Sequence, residues 1–334
     1  MIEIDGSFKE GGGGILRNAL TLSLITQKPF KITNIRKNRS SSGLKRQHLK
    51  CIELAKLVSG SKSTNTHLGS EEVEFFPSKI TNGKDIEIDI GTAGSTTLLL
   101  QSVFLPCLLS KKKFKLKAVG GTDVAFSPGA DYFKDIYLST FSDYAKINCE
   151  IIRRGYYPKG QGYIELSFKL NKDLKPLNLV ERGELMAFRG VCHASSDLES
   201  IKFCERVHKG LEVLLSDTNT PLSIKKVYGM SSSTGSGVFL QAYFENLKLG
   251  VSLIGNNADN LASDAVSYVK KNMSLGLGVD SHLADQLIPL LGLVKGRIVC
   301  DEITDHILSS IYVCELFLEV KYKINKKSGE ISVI

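Results

Sequence analysis

Two long stretches of this 334-residue chain carry the same succession of apolar periods, and that repetition limits the architectures open to it. Each opens with an alternating strand, passes through a glycine-rich turn and enters an amphipathic helix. The first predicts strand 2–5, helix 14–27, strand 30–36, helix 44–58 and strands near 62–66 and 71–76. The second predicts strand 86–90, helix 95–109, strand 114–119, helix 130–147 and strands near 148–154 and 162–168. The order is βαβαββ both times, with an offset of roughly 80 to 86 residues that is too long for a solenoid period of about 20 to 50. Duplicated subdomains are therefore expected. The C-terminal end repeats the latter part of the unit, with helix 281–291, strand 297–301, helix 304–318 and strands 319–325 and 330–334. Residues 176–180 are the candidate for its leading strand. That leaves 182–277 as an insertion of domain size, with strands 185–191, 222–227, 238–244 and 247–254 and helices 200–215 and 257–273. The expected class is α+β. Residues 1–181 would hold two βαβαββ units and the leading strand of a third, 182–277 an inserted smaller α+β domain, and 278–334 the rest of the third unit.

Composition narrows the partners. With 42% apolar and 23% charged residues and only 8 prolines, the chain resembles a folded globular protein and not a disordered one. Its longest apolar run, 98–109, is broken by Gln101, Ser102 and Pro106 and is too short to cross about 30 Å of hydrocarbon. No membrane span is expected. The first five residues carry two acids and no basic segment, which does not support a secretory signal and points to a cytoplasmic location. Seven cysteines never lie closer than twelve residues, which suits neither a disulfide framework nor a Cys-x-x-Cys zinc site; reduced, mostly structural thiols are expected. A net charge of +8 favours anionic partners, and residues 28–50 hold eight Lys and Arg with no acid. Such a run is either a solvated face or the neighbour of something anionic. Trp is absent and the aromatic residues are scattered, so no base-stacking platform is legible.

Three turns offer backbone to an anion. Residues 11–14 are four glycines between a strand and a helix, where N–H groups are free and no Cβ blocks approach. The pattern matches neither the P-loop nor the spaced dinucleotide fingerprint. Glu10 beside it can hold a hard cation by oxygen, and Arg17 a phosphate. Gly91-Thr92-Ala93-Gly94-Ser95 occupies the matching place in the second repeat, with Gln101 about two turns into its helix, and Gly120-Gly121-Thr122-Asp123 follows a strand. Each alone reads equally well as turn chemistry; together they suggest one lined end of the body.

Among the histidines, His306 falls in the first turn of a helix capped by Thr304 or Asp305. Ser309 and Ser310 are its helical neighbours, while Ile307, Ile311, Cys314 and Leu318 form the apolar stripe, so His306 is expected to look away from the core. A helix N-terminus disfavours imidazolium and attracts phosphate, which suits a neutral imidazole attacking phosphorus. His282, Asp285 and Gln286 share a polar face opposite Leu283, Leu287 and Leu291. His48 reads as part of the solvated basic helix, His67 lies in a loop, and His193 and His208 lie in the insertion.

Taken in order, the segments 5–17, 91–101, 120–123, 154–162 (Arg-Gly-Tyr-Tyr-Pro-Lys-Gly-Gln-Gly), 283–287 and 305–309 resemble the RNA 3′-terminal phosphate cyclases, from one end of the chain to the other and most weakly in the insertion. The resemblance implies a ligase-type enzyme that converts an RNA 3′-terminal phosphate to a 2′,3′-cyclic phosphodiester through a covalent histidine-AMP, releasing AMP and pyrophosphate. It implies that His306 is the nucleophile and that Glu10 contacts a divalent ion, Mg²⁺ or Mn²⁺. The ATP pocket would comprise Gln101, Pro128, His282, Leu283, Ala284, Asp285 and Gln286, and Arg17, Arg36, Arg39 and Gln47 would handle phosphates. His282 stands where many members carry a tyrosine that packs on adenine, and Lys9 and Gly14 replace what are often Gly and Gln. The implied fold is three units like the C-terminal domain of translation initiation factor three, plus the inserted domain. The implied partner is RNA with a 3′-phosphate end; no membrane and no obligatory protein partner is evident, and a homo-oligomer is left open. Cyclase-like ribosome-biogenesis factors, which bind pre-rRNA and lack the nucleophilic histidine, are the alternative. His306, Glu10 and the intact glycine turns count against them, and the motifs of enolpyruvyl-transferase-like enzymes are not seen.

Overall fold

The computed structural model describes residues 1–276 and 278–333. The expected boundary at residue 277 and the last residue of the expected strand 330–334 lie outside them. Strands and helices alternate from the start: β1 (Ile2–Asp5), α1 (Gly13–Thr26), β2 (Phe30–Thr33), α2 (Arg46–Ser59), β3 (Lys62–Thr64) and β4 (Val73–Phe76). Next come β5 (Asp85–Asp89), α3 (Thr96–Leu109), β6 (Phe114–Gly120), α4 (Ala130–Tyr132), β7 (Ala145–Arg153), β8 (Gly162–Leu170) and β9 (Leu177–Leu179). They are followed by β10 (Leu185–Ser195), α5 (Phe203–Leu215), β11 (Leu222–Gly229), β12 (Ser236–Phe244), β13 (Lys248–Ile254) and α6 (Ala258–Ser274). The chain closes with α7 (Ser281–Val294), β14 (Gly296–Val299), α8 (Asp305–Phe317), β15 (Lys323–Asn325) and β16 (Glu330–Val333).

The described strands form four four-stranded mixed sheets, so the class is α+β. Three run in the orders β1-β2-β4-β3, β5-β6-β8-β7 and β9-β14-β16-β15. In each, the first pair is parallel and the other two pairs are antiparallel. The fourth, β11-β10-β12-β13, carries α5 and α6. One apolar cluster joins the first three sheets and includes Phe30, Phe75, Phe104, Phe114, Leu287 and Phe317. A second cluster, with Phe188, Phe203, Val238, Leu240, Leu261 and Val269, belongs to the fourth sheet.

Helices α1, α2, α3 and α8 pack together inside the first cluster, with α7 on α8. α3 packs on α1 and α2, and in place of the amphipathic pattern expected its buried residues run around the whole helix, from Thr96 and Thr97 to Cys107 and Leu108. The seven cysteines are free and buried, as expected, and burial pushes their thiols up, Cys51 to about 11.

The expected helix 130–147 is the clearest correction. It breaks after α4 into a π-helical turn, Phe133–Tyr137, and a 3-10 turn, Leu138–Phe141, and β7 begins at Ala145. The aromatic residues at 133, 137 and 141 do keep a helix-like period, and all three pack in the core, two of them edge-on to Phe104. The Ser139 and Thr140 hydroxyls, however, donate to the Ile136 carbonyl and compete with the helical ladder. The strand expected over 30–36 stops at Thr33 because Asn34 and Arg36 take φ of 54° and 58°, in the left-handed region.

Candidate active site

The first turn of α8 is set by Thr304, whose hydroxyl accepts the Ile307 N–H at 3.3 Å. Ile307, Ile311 and Cys314 then point into the core, and His306 is left outside with 56% of its side chain exposed. Leu318 falls beyond the helix, and Phe317 completes the buried stripe in its place. Ser309 and Ser310, on the side of His306, are buried, because they are the fastening points of the neighbouring segments. Ser309 Oγ accepts from the Glu10 N–H at 3.3 Å and donates to the Phe8 carbonyl at 3.2 Å. Ser310 Oγ donates to Asp285 Oδ1 at 2.6 Å and accepts from Asn18 Nδ2 at 2.8 Å. Phe8 stacks on Tyr312 with ring centroids 4.3 Å apart. The loop between β1 and α1 is thereby held against α8.

Glu10 is the centre of that loop. Its Oε2 accepts the Gly12 N–H at 3.0 Å and lies 3.8 Å from His306 Nδ1; its Oε1 pairs with Arg39. Glycine is required at two places here. A Cβ on Gly12 would collide with the Glu10 carboxylate, and one on Gly13 with Nε2 of His48. Lys9 adopts φ of 52°, a conformation that favours glycine, and sits 4.0 Å from Asp305.

His48 is not the solvated residue expected from its neighbours. It is buried at 7% exposure, and its Nδ1 accepts the Lys45 N–H at 3.0 Å. Burial, with the nearby cations of Arg17, Arg36 and Lys45, pushes its imidazole down to about 3. The ring is neutral in the folded chain. As the pH falls through about 6.5, the unfolded chain binds a proton there and the folded chain does not, so stability drops toward about pH 3 by up to ~1.4 kcal/mol per unit. Above about pH 6.5 this ring contributes no slope. The expected result is that the gap in urea midpoint between wild type and His48→Gln narrows from about pH 7.5 to about pH 5. A gap independent of pH would refute the neutral assignment.

The other sequence-derived positions fall around this centre. Arg17, half-buried on α1, lies near both Asp285 and His48. Burial pushes the Asp285 carboxyl up, against the opposing effects of Ser310, His306 and Arg17. Gln101 Nε2 donates to Gln286 Oε1 at 2.6 Å, which links α3 to α7, and the Pro128 carbonyl accepts from Thr97 Oγ1 at 2.8 Å, one turn before Gln101. Gln47 Oε1 accepts the N–H of Ser95, the capping residue of α3, at 2.9 Å. His282 is exposed on the first turn of α7. Leu283 and Ala284 do not join this centre by their side chains, for both are buried in the main core. Arg36 folds back onto its own loop, donating to the Ser41 carbonyl at 2.9 Å. The N-terminal ends of α1, α2, α3 and α8 are thus neighbours, and four helix N-termini together favour a polyanion.

Sequence reasoning also left out a buried cluster beyond Pro128. Arg154 donates to Asp123 at 3.0 Å and to Asp131 at 2.7 Å, and His193 of β10 lies 3.5 Å from Asp123. His193 Nδ1 meets the Tyr156 hydroxyl at 2.9 Å. Among the described residues, Asp123, Asp131 and His193 are the one group with metal-like spacing. The Arg154 guanidinium pairs with one oxygen of each carboxylate, and His193, whose imidazole burial pushes down to about 4, lies against Asp123 from β10, so the cluster fastens the second sheet to the fourth.

A family model described as RNA 3′-terminal phosphate cyclase matches residues 8–324. A protein of Methanococcoides burtonii with that name is 38% identical over all of this chain and 99% of its own length. The chain belongs to the RNA 3′-terminal phosphate cyclase family. Cyclases so named from Saccharolobus islandicus and Sulfurisphaera tokodaii are 37% and 39% identical over 98% and 99% of the chain, and each is covered over 97%. This cyclase-family chain is thus similar to those proteins along nearly all of its residues. No described helix is long and apolar enough to cross a membrane.

Proposed function

We propose that this chain converts the 3′-terminal phosphate of RNA to a 2′,3′-cyclic phosphodiester with consumption of ATP, and that His306 is the nucleophile. The observation that carries the reading is the placement of His306 on a helix N-terminus, with Nδ1 3.8 Å from the Glu10 carboxylate and 56% of the side chain exposed. In the first step the Nε2 lone pair attacks the α-phosphorus of ATP, and the bond to the bridging oxygen breaks with its electrons leaving on pyrophosphate. An oxygen of the RNA 3′-phosphate then attacks the same phosphorus, the P–N bond breaks, and the imidazole is regenerated. Finally the adjacent 2′-hydroxyl attacks the activated RNA phosphorus, loses its proton to solvent, and expels AMP. Adenylation is needed because a bare phosphate oxygen is a poor leaving group and AMP a good one.

Gln101, Pro128, His282, Asp285 and Gln286 would line the nucleotide site, with Leu283 and Ala284 forming its floor from within the core. Arg17, Arg39 and Gln47 would meet phosphates, and Arg36 would shape the loop that presents Arg39. Glu10 offers a single carboxylate, half of it engaged by Arg39. That donor set is too small to hold a divalent ion alone but fits Mg²⁺ or Mn²⁺ arriving with a polyphosphate, whose charge such an ion would neutralise. The three sheets of equal strand order support a reading as three βαβαββ units, with 182–277 as an inserted domain.

The test is to incubate the purified chain, ATP and a 3′-phosphorylated oligonucleotide. The expected result is an RNA end resistant to phosphatase, with one AMP and one pyrophosphate released per end. An RNA that binds but stays sensitive to phosphatase would favour the non-catalytic RNA-binding alternative.

A further inference from the structure

The segments 120–123 and 154–162 meet in the fold without entering the nucleotide chemistry. The Thr122 N–H donates to the Gly155 carbonyl at 2.9 Å, and the Gly155 N–H donates back to Thr122 Oγ1 at 2.9 Å. The Lys159 N–H donates to Ser233 Oγ at 3.1 Å, which adds the loop between β11 and β12 as a third member. Each of the three joined loops presents one large apolar side chain to solvent: Phe126 at 102% exposure, Tyr157 at 77% and Met230 at 84%. Phe126 is also held at φ of 61°, where a bulky side chain is uncommon. Nothing in the fold covers these groups, and their exposure contributes nothing to the core.

Charge selects the occupant. Lys159 and Arg153 are exposed beside Tyr157, and Lys225 and Lys226 are exposed on the strand that leads to Met230. The one acid on the three loops, Asp123, is buried and paired with Arg154; the Asp197 carboxylate beside the third loop accepts the Thr234 hydroxyl and keeps its charge. Separate, solvent-facing aromatic rings with exposed cations on the same loops and strand match a single-stranded nucleic acid, whose bases stack while its phosphates are neutralised. The loop of Tyr157 adjoins the turn that leads into α3. A Cβ on Gly160 would lie 2.8 Å from Ala93 Cα, and two residues on, Ser95 is bonded to Gln47.

We infer that the loops carrying Phe126, Tyr157 and Met230 form a stacking platform for the single-stranded RNA that leads 5′ from the reacting end. This inference rests on the proposed function for the identity of its ligand. The platform that no aromatic clustering in the sequence announces is assembled from three distant segments.

The test compares the wild type with Tyr157→Ala, Phe126→Ala and the double variant, all at exposed positions whose loss leaves the fold intact. Each ring removed should raise KM for a 3′-phosphorylated oligonucleotide of about ten residues by roughly 5- to 150-fold. KM for a 3′-phosphorylated dinucleotide, kcat and covalent labelling by ATP should stay unchanged, and Tyr157→Trp should retain the wild-type KM. An oligonucleotide carrying 5-iodouridine, with or without a 3′-phosphate, should crosslink to Tyr157 or Phe126. That measurement stands even if the chain forms no cyclic end, so failure of the proposed reaction is distinguishable from failure of the platform. Equal KM values together with no crosslink at either ring would overturn the inference. So would a concentration-dependent dimer that Tyr157→Ala abolishes while RNA binding is unchanged, which would assign the patch to a second copy of the chain.

Discussion

His306→Ala is expected to abolish the covalent label that α-phosphate-labelled ATP leaves on the wild-type chain, in the absence of RNA, and to lower cyclisation by at least about 10⁴-fold. The loss is large because no neighbour can replace the ring. The groups closest to it are a carboxylate already bonded to Gly12 and Arg39 and two serines committed to the Phe8 carbonyl and to Asp285. The fold should be indifferent, since the side chain lies outside the packed stripe of α8 and substitutions at such exposed positions usually change stability by less than about 0.5 kcal/mol. A wild-type label that survives alkali and is lost in acid is the signature of a phosphorus–nitrogen bond. A label of undiminished intensity on the alanine variant would place the nucleophile elsewhere.

The second large effect is on stability. Arg154→Met should cost about 3–5 kcal/mol, the range for removing one partner of a buried ion pair. It strands Asp123, whose side chain has no exposure, and Asp131, at 8%. Burial acts to raise the Asp123 carboxyl, yet His193 and Arg154 hold it below the ordinary range, so the charge is already dependent on those partners. With the guanidinium gone, the carboxylates must take up protons or admit water. Urea unfolding measures the loss, and the combined change with Asp123→Asn and Asp131→Asn should recover most of it. A loss of less than about 1 kcal/mol would show that the pair is solvated like a surface bridge.

Much of the fold could be read from local pattern. The alternation at Ile2–Asp5 and the apolar periods of α1, α7 and α8 each specify their element within a turn of residues, α3 is marked by its apolar run and not by a period, and the Thr304 cap places His306 on an open face before any tertiary contact is known. What escaped depends on distant segments. His48 sits between charged neighbours and looks solvated, but its burial is decided by Gly13, thirty-odd positions away on another helix. Arg154 meets Asp123 across two loops, and no spacing rule connects either to His193. The turn at 133–141 keeps a helical rhythm of aromatic residues while its hydroxyls unwind it, so two local signals conflict and packing decides. Leu283 and Ala284 share a stretch with Asp285 and Gln286, yet helical geometry sends the first two inward.

The fastening of the loop between β1 and α1 onto α8 also bears on how the protein is made. Glu10 and Ser309 are 299 positions apart, so the carboxylate and the histidine beside it cannot meet until almost all of the chain has left the ribosome. Synthesis at about 5–20 residues per second leaves the early segments waiting tens of seconds for their counterpart. With His306 as the proposed nucleophile, a nascent chain is expected to consume no ATP during that interval, and a product stopped before α8 to be inert, not partially active.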